Sequence, residues 1–159
     1  MVFIGPCASK KLEASRKTVR SDVDFVITFE ELDGMFAAKG IVLSQLETDE
    51  SDEINDATSA GRGYAVAGGV ADAIEKCIRE YYPDVEVKIE HAEGLSECKK
   101  MLTLAKVGKK NGCLIEGMGC PGGCVGGAGT NIPIVKANQE VKKFVDSAER
   151  KLPAMEEES

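Results

Sequence analysis

Six cysteines, a single histidine and one dense run of glycines hold most of the reactive chemistry in this 159-residue chain. The cysteines fall at positions 7, 77, 98, 113, 120 and 124. Cys120 and Cys124 lie within Glu116-Gly-Met-Gly-Cys-Pro-Gly-Gly-Cys-Val-Gly-Gly-Ala-Gly-Thr130, which packs seven glycines and two cysteines into fifteen positions. Glycine at that density implies backbone that turns through positive φ or comes very close to something bulky. Two thiolates in such a loop can converge on one inorganic object, and the loop's N–H groups can hydrogen-bond sulfides or anions and offset their charge. Cys7 lies in Gly5-Pro-Cys-Ala-Ser-Lys-Lys-Leu-Glu13, where a strand end turns into a helix. Helix N-terminal amides favour a thiolate there, and Lys10, one turn on, can reach over the same site. Three low-pKa thiolates from two strand ends suit an iron–sulfur cluster.

Competing chemistries fit these residues less well. Gly117-x-Gly119-x-x-Gly122 matches the dinucleotide fingerprint, but that motif belongs at the first strand–helix turn of a larger unit, and here it carries Pro121 close to the chain's end. A phosphate-binding loop would need Gly-Lys-Ser/Thr, which does not occur. A structural zinc site wants four paired Cys or His ligands, whereas His91 stands alone in a strand-to-helix connection and reads as an ordinary surface residue. A redox disulfide between Cys120 and Cys124 stays open, although the usual motif has two intervening residues rather than three. Cys77, Cys98 and Cys113 read as inert buried thiols on apolar faces.

The elements that must position these groups are legible from periodicity. Short β-branched runs at Val2–Ile4, Asp24–Thr28, Val85–Ile89 and Cys113–Ile115 predict strands. Helical patterns cover Lys10–Arg16, Phe29–Ala38, Val70–Tyr82, Leu95–Lys106 and Val135–Leu152. The alternation predicts an α/β fold with a mostly parallel four-stranded sheet flanked by helices. The metal reading further requires Cys7, Cys120 and Cys124 at one carboxyl edge of that sheet. Residues 1–152 read as one domain, interrupted by an acidic loop over 47–60 in which Glu47–Asp56 has six acidic residues in ten. Residues 153–159 read as a disordered acidic tail.

Composition sets the outer limits. With 43% apolar and 30% charged residues, the chain can bury a core, which excludes disorder throughout. A formal charge of −7 without a basic cluster argues against nucleic acid and against an anionic bilayer. No apolar run is long enough for a membrane span, and MVFIGPCASKK lacks the pattern of a secretory signal, so a cytoplasmic protein is expected.

Two segments are recognisable. GPCASKKLE resembles the second, and EGMGCPGGCVGGAG the third, of the three cysteine motifs that mark the catalytic domain of iron-only ([FeFe]) hydrogenases. VDFVITFEELDGMFAAKGI, SAGRGYAVAGGVADAIEKC and EHAEGLSECKKML resemble the stretches between them. The resemblance implies one lobe of a bilobal domain and a share in the H-cluster, a [4Fe-4S] cube joined through a cysteine sulfur to a two-iron centre with carbonyl, cyanide and a bridging dithiolate. It implies that Cys7 and Cys120 ligate the cube, and that Cys124 ligates it while bridging to the two-iron centre. Lys10 matches the lysine that hydrogen-bonds a cyanide, Met118 a methionine packed beside the two-iron centre, and Pro6 the proline that brings backbone close to it.

The family's first cysteine motif, with the fourth cube ligand and the proton relay, is expected upstream of residue 1. The implied partners are therefore a missing N-terminal lobe and electron-transfer domains of the same polypeptide, and a ferredoxin-like carrier or a signalling partner. Alone, the chain is expected to be inactive with an incomplete cluster. Gly5 stands where methionine is usual, Gly119 where alanine is usual, and Ala128-Gly129-Thr130 where Gly-Gly-Gln is usual, which resembles the divergent, sensory branch. Gly5 is expected to leave a void beside the two-iron centre. The rival implications are a hydrogen sensor and an iron–sulfur assembly factor of the same fold.

Overall fold

Residues 1–16, 22–47 and 56–153 are described by the computed structural model. In chain order they form β1 (Val2–Ile4), α1 (Ser9–Ser15), β2 (Phe25–Ile27), α2 (Phe29–Ala38), α3 (Ser59–Arg62), α4 (Gly69–Tyr81), β3 (Lys88–Glu93), α5 (Leu95–Lys106), β4 (Cys113–Met118) and α6 (Ile134–Asp146). Two strand–helix–strand units carry the architecture. In the first, β1 and β2 run parallel with Val2 beside Phe25 and Ile4 beside Ile27. In the second, β3 and β4 run parallel from Lys88 beside Cys113 to Glu93 beside Met118.

The α/β class and the parallel sense agree with the sequence, but the strands form two pairs and not one four-stranded sheet. Periodicity finds strands without saying which edges meet. Here the glycine-rich segment ties the first unit down instead of a ladder: Gly129 N–H donates to the Pro6 carbonyl at 3.0 Å, and Glu30 N–H to the Gly129 carbonyl at 3.4 Å. The Asn131 side-chain amide adds a bond to the Phe29 carbonyl at 3.3 Å.

Three boundaries depart from the sequence pattern. The predicted strand Val85–Ile89 begins instead at Lys88, because Val85 is turned back with its N–H on the Tyr82 carbonyl. The predicted helix Val135–Leu152 stops at Asp146, and the segment beyond it satisfies the exposed amides at the start of α3. Ser59 N–H reaches the Arg150 carbonyl at 2.8 Å and Ala60 N–H the Lys151 carbonyl at 3.2 Å. The acidic loop predicted to residue 60 gives way at Thr58, whose side chain caps α3 by accepting the Gly61 N–H. Residues 48–55 of that loop and 154–159 of the tail lie outside the described residues. Pro153, at the tail's start, accepts the Tyr81 hydroxyl through its carbonyl.

The core is made of small side chains, with Ala60, Ala71, Ala73, Ala92, Val125 and Ala137 buried. Cys77, Cys98 and Cys113, expected inside, are only half-buried. Arg62 is buried between α3 and α6, its guanidinium 4.1 Å from the centroid of the Phe144 ring and bonded to the Phe144 carbonyl and the Ser147 hydroxyl, each at 3.0 Å. A charge held this way needs every donor used, which fixes the α3–α6 contact.

Candidate metal-cluster site

Each predicted cysteine follows a strand end. Gly5 N–H continues the β1–β2 ladder to the Ile27 carbonyl at 3.1 Å, and the chain then leaves the carboxyl edge through Pro6 and Cys7. Lys10 N–H bonds the Cys7 carbonyl at 3.3 Å, closing the turn into α1. On the second unit, β4 ends at Met118 and the chain turns through Cys120-Pro-Gly-Gly-Cys124, with Gly123 N–H on the Cys120 carbonyl at 3.1 Å. That turn demands glycine, since Gly122 and Gly123 have φ of +80° and +89°. A β-carbon on Gly123 would also stand 2.5 Å from the Ala67 nitrogen.

The two turns face one another. Cys124 lies within electrostatic reach of Cys7, Cys120 and Lys10, so it is the common neighbour of the groups predicted from the sequence although their sheets are separate. Pro6 and Cys124 also line an apolar pocket of about 570 Å³, walled by Phe29, Leu32, Phe36 and Val141. Met118 is placed differently: it lines a separate pocket with Val70 and Ile74 of α4 and Leu114.

Electrostatics correct one expectation. Partial burial pushes the Cys124 thiol up, the neighbouring Cys7 and Cys120 push it further, and Lys10 opposes them. Burial, with the neighbouring thiols added to it, outweighs the pull of Lys10 at Cys124. Lys10 is held above its ordinary value, chiefly by its bond to Glu13 at 2.8 Å, with burial opposing and the charges of Glu13, Cys7 and Cys124 reinforcing it. At Gly5 the Phe3 ring stands where a side chain would begin: a β-carbon at position 5 would lie 2.9 Å from Phe3 Cε1. Of the other departures, Gly119 has room for a methyl group, with Leu95 at 3.9 Å, and Ala128 projects outward.

All six thiols are free, so the loop is not closed by a Cys120–Cys124 disulfide. Among the described residues no three Cys, His, Asp or Glu side chains are grouped to hold a single metal ion. A cube imposes a wider set, because each thiolate takes a different iron, and Cys124 with Cys7 and Cys120 as neighbours suits it as part of a ligand set.

Supporting residues were missed by sequence reasoning. The Glu116 carboxylate accepts N–H bonds from Gly68 at 2.6 Å and Val70 at 3.1 Å, anchoring the start of α4. His91, expected in a connection, lies in β3 opposite Glu116 and bonds it through Nδ1 at 3.2 Å. Only the strand register, which periodicity leaves unset, could have paired them.

The family model for the iron only hydrogenase large subunit, C-terminal domain, matches residues 1–128. The chain belongs to this family. Iron hydrogenase 1 of Clostridium pasteurianum is 30% identical over a match covering 80% of this chain and 28% of that protein. The periplasmic [Fe] hydrogenase large subunit of Nitratidesulfovibrio vulgaris is 29% identical, with 80% and 38% covered. A probable cytosolic Fe-S cluster assembly factor of Culex quinquefasciatus is 28% identical over 99% of this chain and 41% of that protein. This chain thus spans less than half the length of these curated relatives. In fold it resembles a variant of the [FeFe]-hydrogenase from Chlamydomonas reinhardtii, with a TM-score of 0.63 at 22% identity over 95% of this chain and 54% of that one. Among its described residues no helix is long and apolar enough to cross a membrane.

Proposed function

We propose that this chain forms one wall of an H-cluster site in a longer hydrogenase polypeptide. Cys7 and Cys120 ligate the cube, and Cys124 ligates it while bridging to the two-iron centre. The observation that carries this reading is the convergence of Cys7, Cys120 and Lys10, from two separate strand pairs, on Cys124 as their common neighbour. Bound there, the cluster supplies the reversible oxidation of hydrogen to protons and electrons. Lys10 presents a charged donor to an anionic ligand of the group, as an ammonium can. Pro6 and the apolar pocket beside Cys124 keep water from one side, which strengthens such contacts. Met118, at the end of β4 two residues before Cys120, is the methionine of this wall.

That second wall is a further lobe outside these residues, carrying the fourth cube ligand. Parallel pairs are normally covered on both faces, yet Val2, Ile4 and Phe25 are 53%, 47% and 67% exposed on the first pair. A ferredoxin-like carrier serves the same polypeptide as electron partner. Six free thiols fit a cytoplasmic location.

The test is anaerobic reconstitution of the whole polypeptide with infrared spectroscopy. Carbonyl and cyanide bands that vanish in Cys124→Ser are expected, together with hydrogen evolution. A second reading, an iron–sulfur assembly factor, draws on the Culex relative matched over nearly the whole chain. Iron and sulfide bound without those bands would favour it. Bands with hydrogen binding but slow turnover would favour a sensor.

A further inference from the structure

We propose that Glu93, the last residue of β3, is a positioning residue for Cys120. The inference rests on the reading of Cys120 as a cluster ligand and adds a group that fixes where its thiol stands. Two consecutive residues of β3's end grip the chain on either side of Cys120. Before it, Gly94 N–H donates to the Met118 carbonyl at 2.8 Å. After it, Gly122 N–H donates to the Glu93 carboxylate at 2.6 Å. Gly122 is held from its other side as well, because its carbonyl accepts the Ala67 N–H at 3.0 Å. The Ala67 turn is in turn fixed by the Glu116 carboxylate on Gly68 and Val70.

Of these anchors, the Glu93 carboxylate is the one that a side chain supplies directly to the Cys120–Cys124 turn. The glycines at 122 and 123 allow the turn's shape but also lower its stiffness, since a left-handed pair without β-carbons has many unfolded alternatives. A charge-assisted bond at the centre of such a turn selects one arrangement out of these. Cys98 reinforces the near side, its thiol donating weakly to the Met118 carbonyl at 3.6 Å. The Glu93 carboxylate acts on the turn through backbone, by its bond from Gly122.

The experiment uses the chain as it is, without cluster. Amide hydrogen exchange at Gly122 and the alkylation rate of Cys120 are followed in Glu93→Ala and Glu93→Gln. Loss of the carboxylate should speed both about tenfold, the scale of one charge-assisted bond. Glutamine, whose carbonyl oxygen can still accept the Gly122 N–H, should restore both to within about twofold of the parent. The amides of β3 and α5 and the thiol of Cys77 should not change in either variant. Unchanged exchange at Gly122 in Glu93→Ala would overturn the assignment, and so would a uniform rise across β3 and α5, which would make Glu93 a general stabiliser. Whether Cys120 is a ligand at all is read separately, from iron retained by Cys120→Ser in the reconstituted polypeptide. That result can fail while the exchange result stands.

Discussion

Gly129 donates its N–H to the Pro6 carbonyl at 3.0 Å and so joins the two strand pairs beside the residues that bring Cys7 and Cys124 together. The joint is as tight as backbone allows. A β-carbon on Gly129 would stand 2.6 Å from Thr28 Cβ, and Thr28 is itself buried at the start of α2. This bond and those of Glu30 and Asn131 therefore hold the first unit to the glycine-rich segment, without a continuous ladder between the sheets.

Gly129→Ala should push the loop off Thr28 at a cost of about 2 kcal/mol, the usual scale for overpacking. In a chain of this size that lowers Tm by roughly 5 °C. Gly119→Ala is the control, because its nearest neighbour lies 3.9 Å away, and its Tm should stay within about 1 °C of the parent. Thermal unfolding of the two variants side by side checks the contrast.

Much of this arrangement was legible in the residues. The Cys120-Pro-Gly-Gly-Cys124 spacing announced a tight thiol-bearing turn, and Gly122 and Gly123 adopt the positive φ that their identity suggested. Strands at Val2–Ile4 and Cys113 onward are found where β-branched runs placed them. What could not be read was set by contacts distant in sequence. The split into two strand pairs, the partnership of His91 with Glu116 and the grip of Glu93 on Gly122 all depend on register. The end of α6 at Asp146 depends on amides of Ser59 and Ala60 that lie almost ninety positions earlier, as the bonds to Arg150 and Lys151 show.

Acid should loosen the first unit through Glu31. Its carboxylate accepts the Thr28 N–H at 2.9 Å and the Lys11 ammonium at 2.7 Å, completing a capping box on α2. Lys11, and after it the Thr28 backbone bond, hold the Glu31 carboxyl below its ordinary value. A folded pKa below the unfolded one stabilises the fold at pH above the unfolded value, and that contribution is lost as pH falls through the folded pKa. Glu31→Gln should therefore lie below the parent in Tm at about pH 7 and converge on it towards about pH 3. Parallel Tm curves over that range would contradict the assignment.

Glu13 should control the charge of Lys10. Its carboxylate is the main cause of the raised lysine value, so Glu13→Gln should move the Lys10 titration down, read from the pH dependence of the Lys10 side-chain methylene signals by NMR. The thiols of Cys7 and Cys124 act in the same direction. Replacing both by serine in the Glu13→Gln background should lower the titration again. A titration that does not respond to Glu13→Gln would show that the bond is not maintained in solution.

The substitution at Gly5 is a matter of Phe3. With the far end of the ring 2.9 Å from the β-carbon that any other residue would bring, Gly5→Met alone turns Phe3 aside and should destabilise the chain by about 1 kcal/mol. Residues two apart on a strand share a face, so the pair can exchange sizes. Phe3→Ala combined with Gly5→Met should recover most of the loss, and the coupling between the two positions should exceed about 0.5 kcal/mol, as expected for groups in contact. In the reconstituted polypeptide the same cycle separates two explanations of the glycine. If Phe3 supplies the apolar wall that methionine supplies elsewhere, the double variant should leave the carbonyl infrared bands near those of the parent. A large shift of those bands in the double variant would mean that the ring and the methionine are not equivalent, and that Gly5 tunes the cluster by opening its surroundings.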